Sequence, residues 1–391
     1  MTDKVRPDPR ELDMSMFKTK SPAPAVLVVA VLLCALAGTA LAAGPPYVGR
    51  FLAEQFPRWD RNHDGVLDIS EVHAVIEDPS TRGYEAAVIV VVGRHMSREE
   101  DQDHLSRAQL LALARERSFR KAVSSTYKRL ENVDRDLFLP GDPDLSTFHQ
   151  GRLGDCYLLS PVAALVHRDP QSIRAMIQPV PKGGYEVAFG DGQRVEVPPL
   201  TDAELLLGAR MDSRHGTWLA VIEKAYGLIR EGRLAKKTGV RPDPRTTVPD
   251  EMVGTGGRSA DIIALLTGHR AQVLGNLGVS TPIGQVHETL ATMTHQRRLV
   301  CAGTPKLTGS PGGPARVPGI SYSHAYAVFG YDPDRRQVTL FNPHGNTFEP
   351  KGPPGPANGY PTQHGVFTIP LQDFFNILQH MSCETGQPEK K

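Results

Sequence analysis

Apolar residues are distributed along this chain in several distinct patterns, and each pattern predicts a different element. Pro24 to Ala43 (PAVLVVAVLLCALAGTALAA) carries no charge and follows Lys18 and Lys20. A run of that length behind a basic flank predicts an export signal or a membrane anchor. Ala40-Leu41-Ala42 has the small-x-small form of a cleavage site, and both readings place residues after Ala43 outside the cytoplasm. Further on, Phe51, Leu52 and Phe56 recur at helical spacing within 47–57, as do Val72, Val75 and Ile76 within 71–77. The run 86–92 (AAVIVVV) fits a helix by position and a strand by its β-branched content. Near the other end, 322–329 and 337–341 read as two short strands around the turn Asp332-Pro333-Asp334. The glycine- and proline-rich stretches 303–319 and 350–361 flank those strands as long loops. They would either gate a cleft or be plain surface slack.

Between the first two helical patterns lies Asp60-Arg61-Asn62-His63-Asp64-Gly65-Val66-Leu67-Asp68-Ile69-Ser70-Glu71, which has every defining position of a twelve-residue EF-hand loop. Asp60, Asn62 and Asp64 would offer side-chain oxygens and Val66 a backbone carbonyl. Asp68 would act directly or through water, and Glu71 would close the site on a Ca2+ ion with two oxygens. Gly65 permits the sharp turn such a loop needs. Setting Leu105 against Leu67 aligns 97–115 as a partner loop, with Arg98 at the first ligand position and Gln109 at the closing one. That second loop is not expected to hold calcium.

The strongest chemical signal is Cys156, which ends the glycine-bracketed run Gln150-Gly151-Arg152-Leu153-Gly154-Asp155 and opens an apolar helix. A helix start offers unpaired N–H groups and the positive end of the macrodipole, which favour thiolate over thiol. A hairpin centred on Pro333 would place His324 directly across from Asn342, within reach of a side-chain hydrogen bond. A helix-start thiol, a strand histidine and an amide that orients it form a Cys-His-Asn set suited to acyl transfer. Composition adds little, because 40% hydrophobic and 22% charged residues are ordinary and a net charge of +1 gives no reason to expect nucleic acid. After the apolar leader the cysteines are Cys156, Cys301 and Cys383. An odd count leaves at least one thiol unpaired, and no spacing rule supports a Cys301–Cys383 bridge.

From about Ser124 to Phe374 the residues resemble the calpain family of cysteine proteases. The likeness is carried by Gln150 to Leu159, by Trp218 with Glu223-Lys224-Ala225-Tyr226, by Gly256-Gly257, by His324-Ala325-Tyr326-Ala327-Val328, by Asn342-Pro343-His344-Gly345 and by the closing segment 365–374. The resemblance implies an α+β, papain-like core of two subdomains, one helical with the cysteine and one β-rich with the histidine and asparagine. It implies that Gln150 is an oxyanion donor beside the Cys156 N–H, and that proteins or peptides are the substrates. A small all-α, EF-hand-like domain would precede that core. The expected organisation is therefore a signal peptide or anchor over 1–43, an EF-hand pair over 44–120, a catalytic domain over 121–381 and a disordered tail over 382–391.

The match departs from the family in several places. Tyr157 follows the cysteine where the family has tryptophan, and His344 replaces the tryptophan that shelters the His–Asn hydrogen bond. Pro161 would kink the helix after Cys156 unless it falls in the first turn. Thr147 and Phe348 stand where the family's core calcium sites use acidic ligands, so calcium is not expected in the core. Because the sequence ends at Lys391, no C2-like or penta-EF-hand domain is expected after the core. Two other functions compete with a peptidase: a catalytically weak protease fold used for calcium-dependent protein binding, and a transglutaminase-like acyl transferase.

Overall fold

The computed structural model describes residues 47–96, 104–146, 148–151, 153–209, 216–239, 249–307 and 316–388. All of these fall in the compact unit Tyr47–Lys391, and residues 1–46 lie outside the described residues. The apolar patterns become helices first. Helix α1 (Val48–Trp59) buries Leu52, Phe56 and Trp59, and α2 (Ile69–Ile76) buries Val72, Val75 and Ile76. The run 86–92 lies in α3 (Tyr84–Met96) and is buried throughout, so helix rather than strand is the outcome. Contact on every side overrides the strand preference of its β-branched residues.

Short strands β1 (Val66–Asp68) and β2 (His104–Ser106) pair antiparallel through Leu67 and Leu105. Each leads into a helix with the same cap. Asp68 with Glu71 forms a capping box at the start of α2, and Ser106 with Gln109 forms one at the start of α4 (Arg107–Leu113). Helix α5 (Arg117–Glu131) completes this region by adding Phe119 and Val123 to its core. That core also takes in Ala203, Leu206 and Leu207 from the distant segment around α8 (Glu204–Leu207).

The second core surrounds α6 (Cys156–Arg168), an apolar helix whose residues 157–166 are all buried. Pro161 lies inside it without ending it. Each fully buried leucine here contributes roughly 2 kcal/mol. Beyond α6 come α7 (Pro170–Met176) and a small antiparallel sheet of β3 (Ile177–Pro179), β4 (Tyr185–Ala188) and β5 (Arg194–Val197). Helices α9 (Trp218–Thr238), α10 (Pro249–Gly254) and α11 (Ser259–Thr267) follow. The fully buried Trp218 anchors α9 in the same core as α6.

The largest sheet contains β6 (His269–Leu274), β7 (Val300–Gly303), β8 (Ala325–Asp332), β9 (Gln337–Phe341), β10 (Val366–Pro370) and β11 (His380–Pro388). Its order is β10-β9-β8-β7-β11-β6. One face, through Cys301, Ala327 and Phe341, joins the α6 core. The other, through Val300, Tyr326, Val328 and Leu340, packs with α12 (Ile283–His295) and α13 (Leu371–Ile377). Covering both faces explains why β8 reads as a nearly unbroken apolar run.

Two sequence expectations need correction, and one open question is answered. The disordered tail expected over 382–391 is not seen as far as Pro388, because residues up to Pro388 belong to β11, which lies between β7 and β6; 389–391 lie outside the described residues. Its fully buried Glu384 meets Arg168 at 2.7 Å, His269 at 2.6 Å and Arg298 at 3.3 Å. Three partners offset the cost of burying that carboxylate in the sheet. The extracytoplasmic placement and the membrane contact are also withdrawn. Among the described residues no helix is long and apolar enough to cross a membrane, and the run 24–43 lies outside them. Finally, Cys301 and Cys383 are free, buried thiols. Cys301 pairs with Ser382 and Cys383 with Val300, so the one-residue offset sends the two sulfurs to opposite faces of the sheet.

Candidate active site

Cys156 is the first residue of α6. The Asp155 carbonyl takes the N–H groups of Leu158 and Leu159, at 2.8 and 3.0 Å, while the N–H groups of Cys156 and Tyr157 face the sulfur. The loop before it runs through tight passages. A Cβ on Gly151 would lie 2.2 Å from the Gly208 carbonyl oxygen, and one on Gly154 would lie 2.7 Å from that of Gly254. Only glycine fits there, which is why the nucleophile loop is bracketed by it. Across from the cysteine, the Ser160 hydroxyl donates to the Ala325 carbonyl at 2.8 Å, tying α6 to the first residue of β8. Ala325 backbone also reaches the Cys156 sulfur.

His324 immediately precedes that residue. Its N–H donates to Thr304 Oγ1 at 3.1 Å and its carbonyl accepts from the Thr304 N–H at 2.9 Å. The sequence register for this hairpin is not the one observed. Asp332 pairs with Gln337, and past a bulge Val328 pairs with Leu340 and Ala327 with Phe341. Continued in that register, Tyr326 lies opposite Asn342, and His324 approaches Asn342 from the diagonal position on the same face. The two nevertheless meet, with His324 Nε2 2.8 Å from Asn342 Oδ1.

The polarity of that contact follows from a third residue. The backbone N–H of His344 donates to the same Asn342 Oδ1 at 3.0 Å, and Asn342 Nδ2 donates to Asn346 Oδ1 at 2.8 Å. Both bonds orient the amide with its oxygen toward the ring, so His324 Nε2 carries the hydrogen. Nδ1 is left as the basic nitrogen. A family model described as calpain family cysteine protease matches residues 100–354, more than half of the 391 residues, and contains all of these groups. The chain belongs to the calpain family. The search of the curated proteins finds no match.

Within this calpain-family core, the electrostatics differ from the sequence expectation. Burial pushes the Cys156 thiol up, the charge of Asp155 adds to that, and the backbone groups around the sulfur only partly oppose it. Burial, helped by the neighbouring His344, holds His324 down at about 3. Both shifts favour a neutral thiol beside a neutral imidazole. The helix start alone therefore does not set the ionisation of this cysteine.

Gln150 lies at the loop mouth, where its N–H donates to the Pro343 carbonyl at 2.6 Å, joining the nucleophile loop to the Asn342 turn. One Nε2 hydrogen goes to the Leu153 carbonyl at 2.7 Å. The motif residues not given a chemical role in the sequence also have one. Asp155 is fully buried against the carboxyl of Glu223 and the amide of Gln150, and burial raises its pKa. Glu223 accepts the Ala209 N–H with both oxygens at 3.0 Å. Its neighbour Lys224 meets Glu204 at 2.6 Å, both almost wholly buried. The glutamate and lysine of the α9 motif thus clamp the segment 204–209 against the nucleophile loop.

Tyr157, in the tryptophan position, donates its hydroxyl to the Val253 carbonyl at 2.9 Å and receives Arg230 Nη1 at 2.5 Å. His344, in the other tryptophan position, lies over His324 with ring centroids 4.2 Å apart and planes 23° from parallel. Phe348 packs against Gly319 and Gly359, and its backbone pairs with Thr362, so it holds the two rim loops together. Thr147 lies outside the described residues. A cavity of about 710 Å3 lies elsewhere, between Glu77, Arg82, Asp202 and Glu231, and contains no candidate catalytic residue.

The loop 60–71 has oxygen donors of the right type for a hard cation. Asp60 and Glu71 are both buried carboxylates whose hydrogen bonds come from backbone N–H groups. Asp60 takes those of Asp64 and Gly65, and Glu71 takes those of Arg61, Asn62 and Asp68. Asn62 and Asp64 point to each other, Nδ2 to Oδ2 at 2.9 Å. Asp68 caps α2, with Oδ1 taking the Glu71 N–H at 2.8 Å and the Ser70 hydroxyl at 2.6 Å. Among the described residues no group of three His, Cys, Asp or Glu side chains stands close enough to hold a metal. The donor set fits a calcium ion in type, and its carboxylates here are turned onto the loop's own amides. Gln109, at the matching point of the partner loop, accepts the Ser106 N–H with its Oε1 at 2.9 Å, and Arg98 lies outside the described residues.

Proposed function

We propose that this protein is a calpain-type cysteine endopeptidase that hydrolyses peptide bonds through Cys156, His324 and Asn342. The observation that carries the reading is the 2.8 Å His324–Asn342 bond, whose polarity the His344 N–H sets. It leaves Nδ1 of His324 as the base at the β8 entrance, where Ala325 meets the nucleophile. Because burial favours the neutral pair, His324 acts first as a general base. Cys156 sulfur bonds to the substrate carbonyl carbon while the thiol proton passes to His324 Nδ1. The imidazolium, its Nε2–H still held by Asn342, then gives that proton to the departing amine as the C–N bond breaks. Water attacks the thioester with His324 again taking the proton, and release of the acid restores the thiol. Gln150 Nε2 and the Cys156 N–H are suited to the oxyanion, each worth about 3 kcal/mol in the transition state if typical. An amide rather than a carboxylate orients the base, which favours hydrolysis over a transglutaminase-type reaction.

The reading includes one calcium ion held by Asp60, Asn62, Asp64, the Val66 carbonyl, Asp68 and Glu71. Bound there, the ion would supply the positive charge that draws the carboxylates off the loop amides. The test is cleavage of an unfolded protein substrate by wild type and Cys156→Ala, with calorimetric calcium titration of wild type and Asp60→Ala. Cleavage lost only with Cys156→Ala, and one binding event lost with Asp60→Ala, are expected. Equal cleavage by wild type and Cys156→Ala contradicts the first part, and no calcium heat in wild type contradicts the second.

A further inference from the structure

The residue over the base is itself titratable. His344 stacks on His324 at 4.2 Å, and its Nδ1 lies 3.2 Å from Ser321 Oγ. Its carbonyl faces His149 Nδ1 at 3.1 Å, and its own N–H holds Asn342. The ring is open to solvent on one side, so protons reach it, while its other side is desolvated against His324. The titratable groups that face it are His324 from the β8 entrance and His149 next to the nucleophile loop; Ser321 does not titrate in this range.

Two imidazoles in face-to-face contact cannot both carry a proton without like-charge repulsion at the separation of the rings. A neutral ring, by contrast, presents its π face to the imidazolium that forms during acylation. We propose that His344 is a positioning residue whose neutral ring covers the His324–Asn342 pair and supports the imidazolium, and whose protonation shuts the peptidase off on the acid side. Burial lowers the pKa of both rings, which agrees with a pair that resists even its first proton. The inference rests on the Cys156–His324–Asn342 reading and extends it.

The test compares wild type with His344→Trp, which keeps an aromatic cover that cannot ionise, and His344→Gln, which is neither aromatic nor titratable. The readout is the acid limb of kcat/KM on a fluorogenic peptide, each profile normalised to its own maximum. Both variants are expected to move that limb to lower pH by about one unit, roughly tenfold in relative rate at the acid end. A structural role alone would leave its position unchanged, and acid limbs that coincide with wild type in both variants overturn the proposal. In parallel, NMR titration of 15N-histidine-labelled protein, carrying Cys156→Ala throughout, follows the His324 ring with and without His344→Trp. His324 is expected to gain its proton at higher pH once His344 is gone, and an unchanged titration overturns the coupling. If wild type shows no cleavage that Cys156→Ala removes, the triad reading fails by that result, and the NMR titration still decides the ring coupling.

Discussion

The base–orienter pair and the loop 60–71 are both small polar constellations, and the protein builds them in opposite ways. His324 and Asn342 are almost fully buried and joined side chain to side chain, at the ends of strands pinned on both faces of the sheet. The loop carboxylates make no such mutual cluster, and Asp60 and Glu71 accept their hydrogen bonds from the backbone N–H groups of their own loop. The first region has its geometry without a ligand, because strand packing provides it. The second has only the donors, and would need an ion to supply the geometry.

Substitutions can break this contrast at either end. Asn342→Ala removes the acceptor for both the His324 ring and the His344 N–H. It is expected to lower kcat/KM on the order of 10²–10³-fold, while calcium titration stays as in wild type. An effect below tenfold would mean that packing alone orients the ring. Glu71→Gln removes the closing charge of the loop and should weaken calcium binding by about 10–100-fold in a calorimetric titration. Labelling of Cys156 in the absence of calcium should not change, since the base–orienter pair does not depend on that loop. A matching loss of labelling would show that the two regions are coupled.

The smallest expected effect concerns pH. His324 has a folded pKa below its unfolded value, so its contribution to stability is full above about pH 6.5 and is lost as pH falls toward about 3. Asp155, Glu77 and Glu231, whose pKa values are raised by burial, push the other way, since their contribution is lost as pH rises through about 6 to 7. The difference between wild type and His324→Gln isolates the histidine. Between pH 7.5 and 5.5, wild type should lose about 1.4 kcal/mol more than the variant in urea unfolding.

Much of the site could be read from the chain because its signals are local. A glycine-bracketed thiol before an apolar run and two strands around Asp332-Pro333-Asp334 need no knowledge of the rest of the fold. The hairpin register was less legible, because the bulge near Gly330 shifts the pairing, and His324 meets Asn342 from the diagonal instead of directly across. The Cys156 ionisation depends on burial and on Asp155, neither of which a helix-start rule contains. The Asp155–Glu223 pair joins residues far apart in sequence, and only the packing of α6 beside α9 brings them together. β11 was missed because a strand carrying Glu384 looks polar until Arg168, His269 and Arg298 converge on it.

The account stands on His324 activating one of the cysteines, and mass-spectrometric mapping of a peptidyl thiol-alkylating inhibitor measures that directly. Cys301 and Cys383 serve as internal controls, since both are buried and burial pushes their thiols up, that of Cys383 to about 12. The expected result is stoichiometric modification of Cys156 alone, abolished or slowed at least a hundredfold in His324→Ala. Modification of Cys156 at the same rate in wild type and His324→Ala would contradict it.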